Sequence, residues 1–302
     1  MKAKVLGFTL VEILITLVVS SALVAGLGQI LMQSKKTFQV QQGLSFVMED
    51  GRYILEIITR ETRRIGYLRN SEVKDINLLD PRAVGDATTV FVNDFDVLGS
   101  GINMYQGEFI SGIYSAGGFN GTYDVNRLIF RYQLNDSQEL GNNLEHMSPC
   151  TQLKTSLDPA IVNPDPEIVI HVASIYWYVG NDHVLYCKAK LEAIQPDGSV
   201  YSQDTPDASP LVSNVERFFV LYGLDVDADG SANVYKRADN IAPDWLNVVS
   251  LRLYVVLRSE EKGLAQNIAS YRIEGQDVIP DNPEERRLYR VFSTTINLRN
   301  KS

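Results

Sequence analysis

The sequence predicts an α+β protein: a long amino-terminal helix, membrane-spanning in its first half, packed on an antiparallel β-rich globular domain. Three observations carry this expectation. Residues 8–32 form an apolar run whose only charge is Glu12. Residues 44–65 keep apolar side chains at spacings of three and four. From residue 71 onward, short period-two segments alternate with Gly, Asp, Asn and Pro punctuation.

The 302 residues suffice for one large domain or two modest ones, and a 45% hydrophobic content excludes wholesale disorder. A formal net charge of -9 argues against nucleic acid as a partner, because such binding needs a basic face.

The helix comes first. Lys2 and Lys4 precede the apolar run, and Lys35 and Lys36 follow it. The uncharged stretch 13–34 rises about 33 Å as a helix, enough to cross a hydrocarbon core of about 30 Å once. Two ordinary explanations are a plain anchor and a secretory signal peptide, for which Leu23-Val24-Ala25 is only a poor cleavage pattern. Neither explains Glu12. A carboxylate in a bilayer helix costs about 2.5–3.5 kcal/mol at the centre, unless it snorkels from near the helix end.

The helical pattern then continues through Leu44, Val47, Gly51, Leu55, Ile58, Thr62 and Ile65, with Gly66 as a stop signal. A rod over 8–65 would be about 87 Å long, more than a domain of this size buries. Gly26 and Gly28 in its membrane half permit close helix packing or local loosening. The strand candidates are 88–97, 127–134, 168–179, 184–193, 211–224, 248–258, 269–273 and 289–298. Residues 99–121 read as loops or hairpins, and 196–210 as a long loop or junction.

Gly7-Phe8-Thr9-Leu10-Val11-Glu12 resembles the processing signal of type IV pilins and type II secretion pseudopilins. The resemblance implies that a prepilin peptidase cuts after Gly7, that Phe8 becomes an N-methylated first residue, and that Glu12 is the acid fifth in the mature chain. It also gives Glu12 a partner. The new α-amine stays protonatable, with an ordinary pKa of about 7.7–8.0, and can meet the carboxylate of a neighbouring subunit. In an apolar filament core neither charge is tolerable alone, since losing one partner of a buried pair costs about 3–5 kcal/mol.

The blocks 63–67 (RRIGY), 245–258 (WLNVVSLRLYVVLR) and 289–300 (YRVFSTTINLRN) are similar to the PilW-type minor pilins. Members often place a Cys soon after the Gly-Tyr, where this chain has Leu68-Arg69-Asn70. The resemblance implies a leader at 1–7, a transmembrane and filament-core helix at 8–34, its amphipathic continuation at 35–66 and a periplasmic β-rich domain at 67–302. It further implies a single-pass inner-membrane protein that later enters the pilus, at its tip, in priming or tip-complex formation. The implied partners are other minor pilins, the major pilin, a tip adhesin, the prepilin peptidase and the inner-membrane assembly platform. A J-type pseudopilin of type II secretion shares this plan. A membrane-tethered periplasmic enzyme or ligand-binding protein is the alternative of another class.

In the body, Cys150 and Cys187 suit a disulfide in an exported domain, where closing a loop of about 37 residues contributes about 3–4 kcal/mol. The pairs His146-x3-Cys150 and His183-x3-Cys187 keep a zinc reading open, although i and i+4 on a strand lie about 13 Å apart. Asp225-x-Asp227-x-Asp229-Gly230-Ser231-x-Asn233 matches the first part of a calcium loop, with Ser231 offering its carbonyl and Asn233 its side chain. Lys236 stands where the closing bidentate acid belongs, Asp239 is a candidate late ligand, and a plain Asp/Gly-rich hairpin is the alternative. Nucleophile-elbow, phosphate-loop and zinc-helix motifs are absent, which argues against an enzyme. His171 reads as a packed strand residue, and Glu260-Glu261 and Glu284-Glu285 as solvated surface.

Overall fold

A computed structural model describes residues 9–67, 100–104, 108–115, 125–134, 150, 170–194, 200–204, 208–267 and 270–299. The strand expected at 88–97 lies outside these residues. The chain opens with a 53-residue helix, α1 (Leu10–Thr62). Thr9 caps it: its hydroxyl accepts from the Glu12 N–H at 3.3 Å, and its own N–H donates to Glu12 Oε2 at 2.9 Å. At the other end Gly66 takes φ +70, and its N–H donates to the Arg131 carbonyl at 2.9 Å, turning the chain into the body.

Two sheets follow. The first holds β1 (Ile110–Ser115), β2 (Val125–Gln133), β3 (Ile170–Val179), β4 (Leu185–Ile194), β5 (Val200–Asp204) and β6 (Ser209–Val212). Their order is β1-β2-β3-β4-β5, with β6 also pairing with β4, and every pairing is antiparallel. The second contains β7 (Val215–Leu224), β8 (Val234–Lys236), β9 (Val248–Arg258) and β12 (Tyr289–Asn297), in the order β12-β9-β7-β8. A short hairpin, β10 (Tyr271–Ile273) with β11 (Gln276–Val278), turns through Glu274 and Gly275, both at positive φ.

The period-two pattern of β9 does what it predicts. Leu251, Leu253, Val255 and Leu257 all point into the core, as do Phe218, Val220 and Tyr222 on β7. Both sheets and the end of α1 share this core, where Ile54, Ile58 and Ile65 meet strand residues such as Leu128, Trp177 and Leu253. Trp177 is fully buried, edge-on to Phe130 at 5.2 Å between ring centroids.

Where α1 crosses β12, Gly51 leaves room for the Phe292 ring; a Cβ there would overlap it. Gly26 and Gly28 face nothing within the chain. The single strand expected over 211–224 is two: Ser213-Asn214 breaks it, Asn214 takes φ 58, and β6 and β7 join different sheets. Edge pairing with β4 likewise puts β5 inside the expected long loop, and pairing with β2 puts β1 inside 99–121.

Candidate assembly and processing site

Gly7 and Phe8 lie outside the described residues. Immediately after them, Glu12 sits in the first turn of α1, and its carboxylate has two bonds from Thr9. The Thr9 hydroxyl donates to Oε2 at 3.0 Å, and the Thr9 backbone N–H donates to the same oxygen at 2.9 Å. The subunit alone therefore holds the acid in one orientation at the helix start, where the dipole favours a negative charge. Thr9 is the residue that sequence reasoning missed. Its signal was legible as Thr-x-x-Glu before an apolar run, the capping-box pattern.

Below this cap the helix is bare. It contains a stretch long and apolar enough to cross a membrane, and none of that stretch is buried. Exposed Leu10, Ile13, Leu17, Val24 and Leu31 are among its side chains. Burial begins at Val47 and continues through Gly51, Ile54, Ile57, Ile58, Glu61 and Thr62. One continuous helix is thus an apolar rod at one end and an integral core element at the other.

Cys150 and Cys187 are joined in a disulfide, with Cα atoms 5.4 Å apart. Cys187 lies on β4 opposite Trp177 on β3, so the bridge pins a loop residue to the buried sheet. The bond occupies both thiols, so neither His-x3-Cys pair offers a thiolate to zinc; His146 is outside the described residues. His183 belongs to the β3–β4 turn at φ 61, where its carbonyl accepts from Val215 N–H at 2.8 Å. Burial first, and then the Arg258 guanidinium, hold its imidazole below the ordinary histidine pKa. His171 is buried on β3, consistent with packing.

The loop joining β7 to β8 brings Asp225, Asp227 and Asp229 together, with one oxygen from each within 4.8 Å of the others. Gly230 takes φ +85, and its N–H donates to Asp225 Oδ2 at 2.9 Å. That bond chiefly holds the Asp225 carboxyl below the usual carboxylate range. Asp225 Oδ1 is buried with no hydrogen-bond partner. Ser231 follows, its N–H donating to Asp229 Oδ1 at 2.7 Å. Asn233 Oδ1, the atom that would face a cation, instead accepts from Val226 N–H at 2.8 Å. Lys236 is on β8, and Asp239 pairs with Arg237 at 3.5 Å.

Glu285 departs from the expected solvated surface. It is half-buried and takes Lys262 at 2.8 Å and Arg287 at 2.5 Å, which lower its pKa to about 2. Glu260, Glu261 and Glu284 are exposed. A cavity of about 340 Å³ lies between the sheets and the β10–β11 hairpin, lined by Tyr114, Asn126, Arg217, Phe219, Arg237 and Glu274 among others.

Two family models match. The model of the type IV pilus-assembly protein W covers residues 177–300, and that of the prokaryotic N-terminal methylation motif covers residues 2–28. The first takes in β9, β12 and the Asp225 loop, and leaves the 63–67 block outside; the second spans Gly7, Phe8 and Glu12. Comparison with curated proteins and with solved structures gives no match. A methylation motif at the head of its bare helix and a PilW region across its second sheet make the chain similar to the PilW-type minor pilins and support a minor pilin's role in type IV pilus assembly.

Proposed function

We propose that the chain acts as a minor pilin in priming the pilus or in its tip complex, after cleavage between Gly7 and Phe8. In this reading the leader 1–7 is removed, the Phe8 amine is methylated, and residues 8–34 hold the chain in the inner membrane with its body in the periplasm. During assembly the same segment moves from lipid into the filament core, and Glu12 neutralises the amine of a neighbouring subunit. The observation that carries this is the pairing of a capped acid with an uncovered apolar rod. Thr9 occupies Glu12 Oε2, which leaves the second oxygen as the acceptor for that amine.

The partners are other minor pilins, the major pilin, a tip adhesin, the prepilin peptidase and the assembly platform. A bulky body on a minor subunit suits a tip, because a lattice of such domains would crowd. In this reading the role is structural rather than enzymatic. Mass spectrometry of the mature protein tests the reading. A methylated Phe8 terminus is the expected result; an intact leader, or a cut near Ala25, overturns it.

The loop between β7 and β8 supports a second reading, calcium binding by Asp225, Asp227, Asp229 and the Ser231 carbonyl. Three converging carboxylates and the buried, unbonded Asp225 Oδ1 favour it. Calorimetric titration of the full chain with calcium chloride should show binding that D227N/D229N removes. Absence of heat, or heat unchanged in the variant, would refute it.

A further inference from the structure

The cavity of about 340 Å³ has an apolar floor and one polar end. Arg217, Phe219 and Leu221 alternate along β7, so they line it from a single face, and its first and last floor residues stand about 13 Å apart. Ile273 and Val278 of the β10–β11 hairpin add to its apolar wall. Tyr222 pairs with Lys236, so the residue after β8, Arg237, comes beside Leu221. Its guanidinium lies over the Tyr114 ring, 4.3 Å from the centroid, and donates to the Tyr114 hydroxyl at 3.3 Å. Tyr114 in turn stands edge-on to Phe219, with ring centroids 6.3 Å apart.

Asn126 completes this end. It is the cross-strand partner of Tyr114, so the two side chains share a face, and it too lines the cavity. Asn126 is only 7% exposed, yet its side-chain amide makes no hydrogen bond among the described residues. A buried amide left in that condition costs about 1–3 kcal/mol, so a polar group in the cavity would relieve it. The charges of the wall are matched unequally. Arg217 is engaged by Asp281 and by the Tyr271 hydroxyl at 3.1 Å. Glu274 accepts from Arg252 at 3.2 Å and from the Tyr254 hydroxyl. Arg237 meets its acid, Asp239, only at 3.5 Å, with side chains 43% and 38% exposed. Such a surface pair is worth about 0–1 kcal/mol and yields to a better acceptor.

We propose that this cavity binds an organic carboxylate with an apolar body, its carboxylate held by Arg237 and the Asn126 amide and its body laid over Leu221 and Phe219. A guanidinium offers paired donors that fit a planar carboxylate, and the amide N–H adds a third. One loosely paired cation matches a single negative charge. A phosphate dianion would call for more cations and would face Glu274. The site goes beyond the pilin reading and does not rest on it. Two sources carry the same chemistry, a small free acid and the last residue of a peptide.

Calorimetric titration of the full chain in detergent micelles tests the site and separates the sources. The probes are 4-methylpentanoate, the peptide acetyl-Gly-Gly-Leu with its free carboxylate, and the amide of each. At concentrations up to about 10 mM, one acid or both should bind, about tenfold more tightly than the matching amide. Binding of 4-methylpentanoate alone assigns a small acid; binding of the peptide acid assigns a chain terminus. R237Q in the same micelles should weaken the acid about tenfold with the melting of the body unchanged, and R290Q, on exposed β12, should not weaken it. No binding of either acid, equal binding of acid and amide, or R237Q and R290Q behaving alike overturns the site. The comparison of acid with amide uses the parent chain, so it decides the matter even where a variant fails to fold.

Discussion

The two halves of α1 share one backbone and differ in everything around it. From Val47 to Thr62 the apolar face meets β12 and β9, and Ile54 and Ile58 are fully enclosed. From Leu10 to Leu31 the helix is richer in apolar residues, yet its large apolar side chains stay exposed. Hydrophobicity alone therefore does not decide what a segment does; the presence of a complementary surface in the same chain does. The covered half belongs to the stability of the body, and the bare half to an environment supplied by lipid or by other subunits.

Mutating each half sharpens the contrast. Ile54→Ala or Ile58→Ala should destabilise the body by about 2–5 kcal/mol in denaturant titration, through lost burial and a residual cavity. Leu31→Ala should leave that titration unchanged. A comparable loss from Leu31 would break the division. Removing the disulfide with C150S/C187S should cost about 3–4 kcal/mol by the same measurement, without altering membrane retention. The effect belongs to the body because the bridge anchors Cys150 to buried β4.

Gly51→Ala should cost about 1–3 kcal/mol, because the new methyl meets the Phe292 ring and overpacking outweighs the gain of about 1 kcal/mol in helix propensity. At Gly28, which faces nothing, the same change should leave the body's stability unaltered.

The smallest effect expected is pH-dependent. Glu285 is depressed from about 4.5 to about 2 by hydrogen bonds from Lys262 and Arg287. Its contribution is therefore fully present above the unfolded value near 4.5 and is lost as pH falls through about 2. The deficit of Glu285→Gln relative to the parent should shrink steadily across that window, and a deficit independent of pH would contradict the assignment.

Much of the covered half was legible because its signals are local. The spacing of Val47, Gly51 and Ile58 announces a helix face, and the alternation of Leu251, Leu253, Val255 and Leu257 announces a strand with one buried side. The elements that escaped are those made by pairing. β5 has no alternation strong enough to stand out from its loop, β8 and the β10–β11 hairpin are three-residue strands, and Asn214 divides one apolar run between two sheets. At the amino terminus the Thr9–Glu12 cap was readable from spacing, whereas Glu285 takes Arg287 from two residues away and Lys262 from a separate loop.

Read alone, the sequence determined the length and bareness of the rod, the acid at its head and the β-rich character of the body, because periodicity and charge act over a few residues. Only tertiary structure decided which face of the rod meets Phe292 and which strands share a sheet. Those outcomes depend on contacts between distant segments, whose geometry is set by packing and by backbone pairing rather than by neighbours in the chain.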